Sequence, residues 1–146
     1  MFELVIATRS LGEATYSARG SFHRWSDAKQ YCKNTGQFLA KIKDVQELQK
    51  ARQAFIQYQD PLYWVGIKFD SSLSDFVWAD GTVVPSNANF EAIVNRNEQD
   101  SAGYTKRCMY ISNQDTLTAD DCESHYKYIC QAGENDDAAK ITSKMS

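Results

Sequence analysis

Apolar positions along this chain change their period several times, and each change marks an element. Tyr63-Trp64-Val65-Gly66-Ile67-Lys68-Phe69 is nearly continuous in aromatic and β-branched residues, and Phe76-Val77-Trp78-Ala79 follows it before Asp80-Gly81. Such runs bounded by turn formers predict strands. The first run lacks an alternation of polar and apolar positions, which predicts a strand buried on both faces. Gly66 inside it predicts a bulge or a second backbone passing close by. Asp80-Gly81 predicts a sharp turn.

The same reading extends along the chain. Phe2 to Ala7 predicts a strand, Gly12-Glu13 a turn, and Thr15-Tyr16-Ser17 a second short strand before a turn at Gly20. Ala28, Tyr31, Cys32 and Thr35 recur at helical spacing, with Ser26 as N-cap, Asp27 favourable against the helix dipole and Gly36 as the stop. Phe38 to Ile42 predicts a short strand or extended link. Asp44 with Glu47 resembles a capping box, and Val45, Leu48, Ala51, Arg52 and Phe55 form the core-facing stripe of a helix ending near Tyr58, closed by Pro61. Cys108-Met109-Tyr110-Ile111 and Tyr126 to Cys130 predict the last strands. Thr82 to Lys106 shows little periodicity, and a long irregular segment in a compact domain is a candidate for function. Gly133 to Ser146 is small, polar and charged, and predicts a frayed tail.

Composition narrows the class. A chain of 146 residues predicts one domain able to bury about two-thirds of its unfolded surface. Hydrophobic content of 42% with 12% aromatic residues excludes wholesale disorder. A formal net charge of −3 provides no basic excess for a nucleic-acid partner. No apolar run is long enough to span a bilayer, and the apolar stretch at Phe2 is too short for a signal sequence and has no basic segment before it.

Four cysteines, Cys32, Cys108, Cys122 and Cys130, are widely spread without a CxxC pair. That usage favours disulfides in an oxidising compartment, with three pairings open. Cys122, His125 and Cys130 resemble a zinc half-site but lack the paired short knuckles of structural zinc domains. Four unconnected buried thiols are the remaining alternative. Catalytic signatures are missing: there is no nucleophile elbow, phosphate-binding glycine loop or zinc-catalytic spacing. Asp120 and Asp121 are adjacent, so on a strand they face opposite sides and form no carboxylate dyad. His23 and His125 have no Ser or Asp motif nearby and read as loop and turn residues.

Taken in order, Trp25-Ser26-Asp27-Ala28 with Tyr31-Cys32, Asp44 with Glu47-Leu48, Tyr63-Trp64-Val65-Gly66-Ile67, Trp78-Ala79-Asp80-Gly81 and Tyr128-Ile129-Cys130 resemble the motifs of the C-type lectin-like domain. The resemblance covers about Tyr16 to Gln131. It implies an α+β fold of two helices flanking antiparallel sheets, with a long loop region and residues 1–132 as the domain. It implies disulfides Cys32–Cys130 and Cys108–Cys122, an extracellular location, and no enzymatic activity. Its partners would be a carbohydrate or glycoprotein ligand, or a protein receptor, with homodimerisation left open.

In that family a calcium ion is held by a Glu-Pro-Asn or Gln-Pro-Asp tripeptide before the cysteine that Cys108 matches and an Asn-Asp pair before the one that Cys122 matches. Here the first position holds Glu98-Gln99-Asp100 and the aligned pair is Thr118-Ala119, with Asp120 and Asp121 nearer Cys122. Calcium takes six to eight hard oxygens. Glu98, Asp100 and Asp120 are the candidate metal ligands, and Asn97 joins them as a candidate ligand-binding residue. Gln99 replaces a proline whose peptide is cis in calcium-binding members, and a cis bond before a non-proline costs about 3–4 kcal/mol. A trans bond would re-aim both carboxylates. The expectation is a recognition domain that binds carbohydrate or glycoconjugate through the long-loop surface with a degenerate calcium site. The alternative is a calcium-independent protein-recognition module.

Overall fold

The computed structural model describes residues 13–58, 61–94 and 107–134. The strand expected at Phe2 to Ala7, the residues Asn97, Glu98 and Asp100, and the tail beyond Glu134 lie outside them. Ten elements follow in order: β1 Thr15–His23, α1 Trp25–Asn34, β2 Phe38–Leu39, α2 Val45–Arg52, β3 Tyr63–Asp70, β4 Asp75–Trp78, α3 Ala88–Glu91, β5 Arg107–Ile111, β6 Thr118–Asp121 and β7 Tyr126–Ala132.

The first helix begins one residue before the expected cap. Arg24 occupies the N-cap in extended conformation without a side-chain cap bond, and its guanidinium instead meets Asp27 at 3.1 Å and Glu123 at 3.3 Å. Starting at Trp25 lets the indole turn inward, where Nε1 donates to the Val65 carbonyl at 2.8 Å. Trp25, Ala28 and Cys32 form the buried stripe, whereas Tyr31 stays exposed. Gly36, at φ +78°, ends the helix in the left-handed region that suits glycine.

In α2 the Asp44 side chain accepts from the Glu47 amide at 2.9 Å. Glu47 reaches back to accept from the Lys43 amide, also at 2.9 Å, so the box closes one residue earlier than the usual pattern. The helix stops at Arg52 rather than near Tyr58, and residues 53–58 continue as turns. Those turns carry Phe55 into the core, stacked on Tyr63 with centroids 4.3 Å apart. Val45 points to solvent at 43% exposure, so the stripe is narrower than expected.

Seven strands form one curled sheet in the order β1-β7-β3-β5-β6, with β2 added to β7 and β4 to β3. It is mixed rather than antiparallel: β3 lies parallel to β7, with Tyr63 beside Lys127 and Trp64 beside Tyr128. Parallel neighbours need a long crossover rather than a hairpin, and here everything from β4 to β6 lies between them. Strand β1 runs through Gly20, where a turn was expected, and takes up the irregularity as a register shift between Arg19 and His23.

Both faces of β3 are covered, as its unbroken apolar pattern implied. Tyr63, Val65 and Ile67 pack with Ile42, Leu48, Phe55, Met109 and Ile129, while Trp64 packs with Trp25, Leu39 and Tyr128. The disulfides pair as the resemblance implied. Cys32–Cys130 ties α1 to β7, and Cys108–Cys122 ties β5 to the residue after β6. No zinc ligand or free thiol therefore remains among the cysteines.

Candidate functional site

Of the residues singled out for ligand or metal binding, the described structure contains Asp120. It sits on β6 opposite Cys108 of β5. Strand β6 has no apolar run to announce it, since its sequence is Thr118-Ala119-Asp120-Asp121. The ladder with β5 and the neighbouring disulfide make it a strand. Asp120 and Asp121 do alternate, and they serve different bonds: Asp120 Oδ1 accepts from the Asp121 amide at 2.7 Å, and Asp121 Oδ1 accepts from the Glu123 amide at 2.9 Å.

The other Asp120 oxygen accepts a hydrogen bond from the Tyr126 hydroxyl. Tyr126 leads into β7, so this bond joins both sides of the second disulfide. Its ring lies edge-on to Trp64 at 4.7 Å and to Tyr110 at 5.4 Å. Burial, then the bond to the Asp120 carboxylate, pushes the Tyr126 phenol well above its usual ionisation range. The hydroxyl is therefore a fixed donor at any physiological pH. Arg107 adds a permanent cation beside the strand, with Nη1 donating to the Ala119 carbonyl at 3.0 Å.

Tested against a calcium ion, this half of the candidate site does not fit. Both Asp120 oxygens already accept hydrogen bonds. Ala119, buried on the strand, has no side-chain oxygen, and a guanidinium on its carbonyl repels a dication while occupying a potential ligand. Among the described residues no group of three or more His, Cys, Asp or Glu side chains could hold a metal ion.

Sequence reasoning missed the role of Tyr126 because a tyrosine opening a strand has the same pattern whether or not its hydroxyl is bonded. It also placed His23 on a loop. The residue instead ends β1, with its ring 4.5 Å from Tyr31 and its carbonyl accepting from Trp64 Nε1 at 2.8 Å. Small cavities flank the helices and the Asp80 turn. One, of about 210 Å³, is lined by Lys43, Asp44, Trp78, Asn87, Asn89 and Phe90, with Val84 and Pro85.

Helices packed against a curled mixed sheet, closed by two disulfides, define a C-type lectin-like fold. The lectin C-type domain profile matches residues 21–132, and the chain belongs to that family. In sequence it is 23% identical over 107 residues to the mouse natural killer cells antigen CD94, covering 73% of this chain and 52% of that protein. The chain spans about half the length of the relatives it matches. In structure it is similar to the mouse scavenger receptor C-type lectin carbohydrate-recognition domain, with a TM-score of 0.66 at 18% identity over 83% of this chain and 91% of that one. It is also similar to a calcium-independent type II antifreeze protein, with a TM-score of 0.64 at 16% identity over 84% of this chain and 88% of that one. These likenesses establish the fold.

Proposed function

We propose that this chain is a non-enzymatic, extracellular recognition domain that binds a glycoprotein ligand by direct side-chain contacts, without calcium. The observation that carries the proposal is the engagement of Asp120. Its carboxylate braces Tyr126 and the Asp121 amide, so the acid nearest the family's Asn-Asp position works as an internal tie, and Ala119 stands where that pair would place its acid. Arg107 on the Ala119 carbonyl supports the same reading. Two disulfides fit an oxidising compartment, and sequence similarity to a mouse killer cell lectin-like receptor supports a cell-surface setting.

Direct recognition changes where the binding energy comes from. A metal-centred lectin gains most of its specificity from hydroxyls ordered around one ion, whereas a metal-free surface needs several polar and aromatic contacts with good shape match. The test is staining of cells with a fluorescent multimer of the chain. Equal staining in calcium and in excess chelator, abolished by proteolysis of the cell surface, is the expected result. Staining that disappears in chelator and returns with calcium would overturn the proposal.

A further inference from the structure

Lys29 and Lys33 stand four residues apart on α1, and both are exposed. That spacing sets two ammonium groups on one helix face, where like charges repel. Among the described residues neither has a carboxylate within ion-pair distance; the ion pairs there involve Arg24, Lys41, Lys43 and Arg52. Both lysines line a groove of about 330 Å³ between α1 and the Asp80 turn, floored by Phe38, Leu39 and Ala79.

Two acids lie at this groove, Asp80 on its lining and Glu134 beside it, and they share the Lys41 ammonium, which leaves Lys29 and Lys33 in excess. Asp80 Oδ1 accepts from the Thr82 amide at 2.9 Å and its hydroxyl at 2.6 Å, and Oδ2 lies 3.4 Å from Lys41 Nζ. Glu134 meets the same ammonium at 3.3 Å. Lys68 brings a further cation toward the helix, 5.5 Å from the Trp25 ring that Lys29 approaches at 6.0 Å. The groove is thus cationic on a chain whose net charge is −3.

We propose that this groove binds a sulfated saccharide. A sugar ring has an apolar face for the Phe38, Leu39 and Ala79 floor, and a sulfate ester supplies a permanent anion for the two unmatched ammonium groups. Gln37, whose Oε1 accepts from Arg19 at 3.0 Å, retains its amide NH2 as a donor to a hydroxyl. An acidic peptide fits less well, because strand addition needs a free edge. The backbone here is taken: β2 pairs with β7, the Ala40 amide bonds to Ile129, and its carbonyl to Gly66. This site is separate from Asp120 and stands whether or not calcium binds there.

The test is retention of the whole chain on immobilised heparin with chelator present. Wild type is retained at about 0.15 M salt despite its net negative charge. Lys29→Gln/Lys33→Gln binds at least about tenfold more weakly, because two phosphate-like contacts are lost. Lys29→Arg/Lys33→Arg keeps binding, as does Lys50→Gln on α2, and melting curves check that all variants fold. Flow-through of the wild type, or undiminished binding by the double Gln variant, would overturn the proposal. So would competition by polyglutamate or fully desulfated heparin as effective as that of heparin itself.

Discussion

Gly66 lies so close beneath Leu39 that a Cβ placed on it would stand 2.5 Å from the Leu39 carbonyl oxygen. The contact is between backbones, so no side chain can rotate away. It allows the Gly66 amide to donate to the Ala40 carbonyl at 2.7 Å and its own carbonyl to accept from Ala79 at 2.9 Å. One residue thereby joins the β2 segment, β3 and the end of β4. Gly66→Ala should destabilise the domain by about 3 kcal/mol or more, through backbone displacement and loss of these bonds. Chemical denaturation measures it, and a loss below about 0.5 kcal/mol would show that the segments slide apart at little cost.

How much of this was legible in the sequence depends on the residue. Gly66 was, because glycine in an otherwise β-rich apolar run has few reasons to be there except close approach. Asp44 with Glu47 was legible because capping is local. The parallel pairing of β3 with β7 was not, since nothing in Tyr63 or Lys127 records which distant strand lies alongside. Strand β6 was hidden because Ala119, Asp120 and Asp121 are poor strand formers held by their neighbours. The candidate site was half legible: the acids could be counted, but the bond from Tyr126 that occupies Asp120 is a tertiary fact. Asn97, Glu98 and Asp100 lie outside the described residues.

The two disulfides should contribute unequally. Cys32–Cys130 spans a sequence separation of 98 and Cys108–Cys122 one of 14. Chain-entropy arguments give about 4.7 kcal/mol for the long loop and about 3 kcal/mol for the short one. Replacing Cys108 and Cys122 together by alanine should leave a folded domain with a lower melting temperature. The same change at Cys32 and Cys130 should cost more, and the reverse order in paired melts would contradict the loop-length account.

The Tyr126 hydroxyl sets an alkaline limit. Its folded-state ionisation lies above the unfolded value of 10.0, so the stability it contributes is fully present below about pH 10 and falls as pH rises beyond that. Tyr126→Phe should cost about 1–3 kcal/mol at neutral pH, since the Asp120 carboxylate loses a donor. It should also remove part of the alkaline decline. Ultraviolet titration of tyrosinate should find one more ionisation-resistant phenol in the native wild type than in the native variant. An unchanged titration curve would contradict the assignment.

The domain boundary can be tested at Glu134, whose carboxylate meets Lys41 at 3.3 Å. Residues 135–146 contain only Ile141 and Met145 as large apolar side chains, too little to offset the entropy of ordering a segment. A chain ending at Glu134 should melt within about two degrees of the full chain. A larger loss would place the tail on the body of the domain.

Calcium linkage tests the central claim most directly. An ion that binds only the folded chain must stabilise it by RT ln(1 + [Ca]/Kd), about 2.7 kcal/mol at a hundredfold excess over Kd. With Asp120 bonded to Tyr126 and Ala119 lacking a side-chain oxygen, melting curves in millimolar calcium and in excess chelator should superimpose within about one degree. A rise of several degrees in calcium, abolished by chelator and by Glu98→Gln, would show that the site assembles after all and would contradict metal-free recognition.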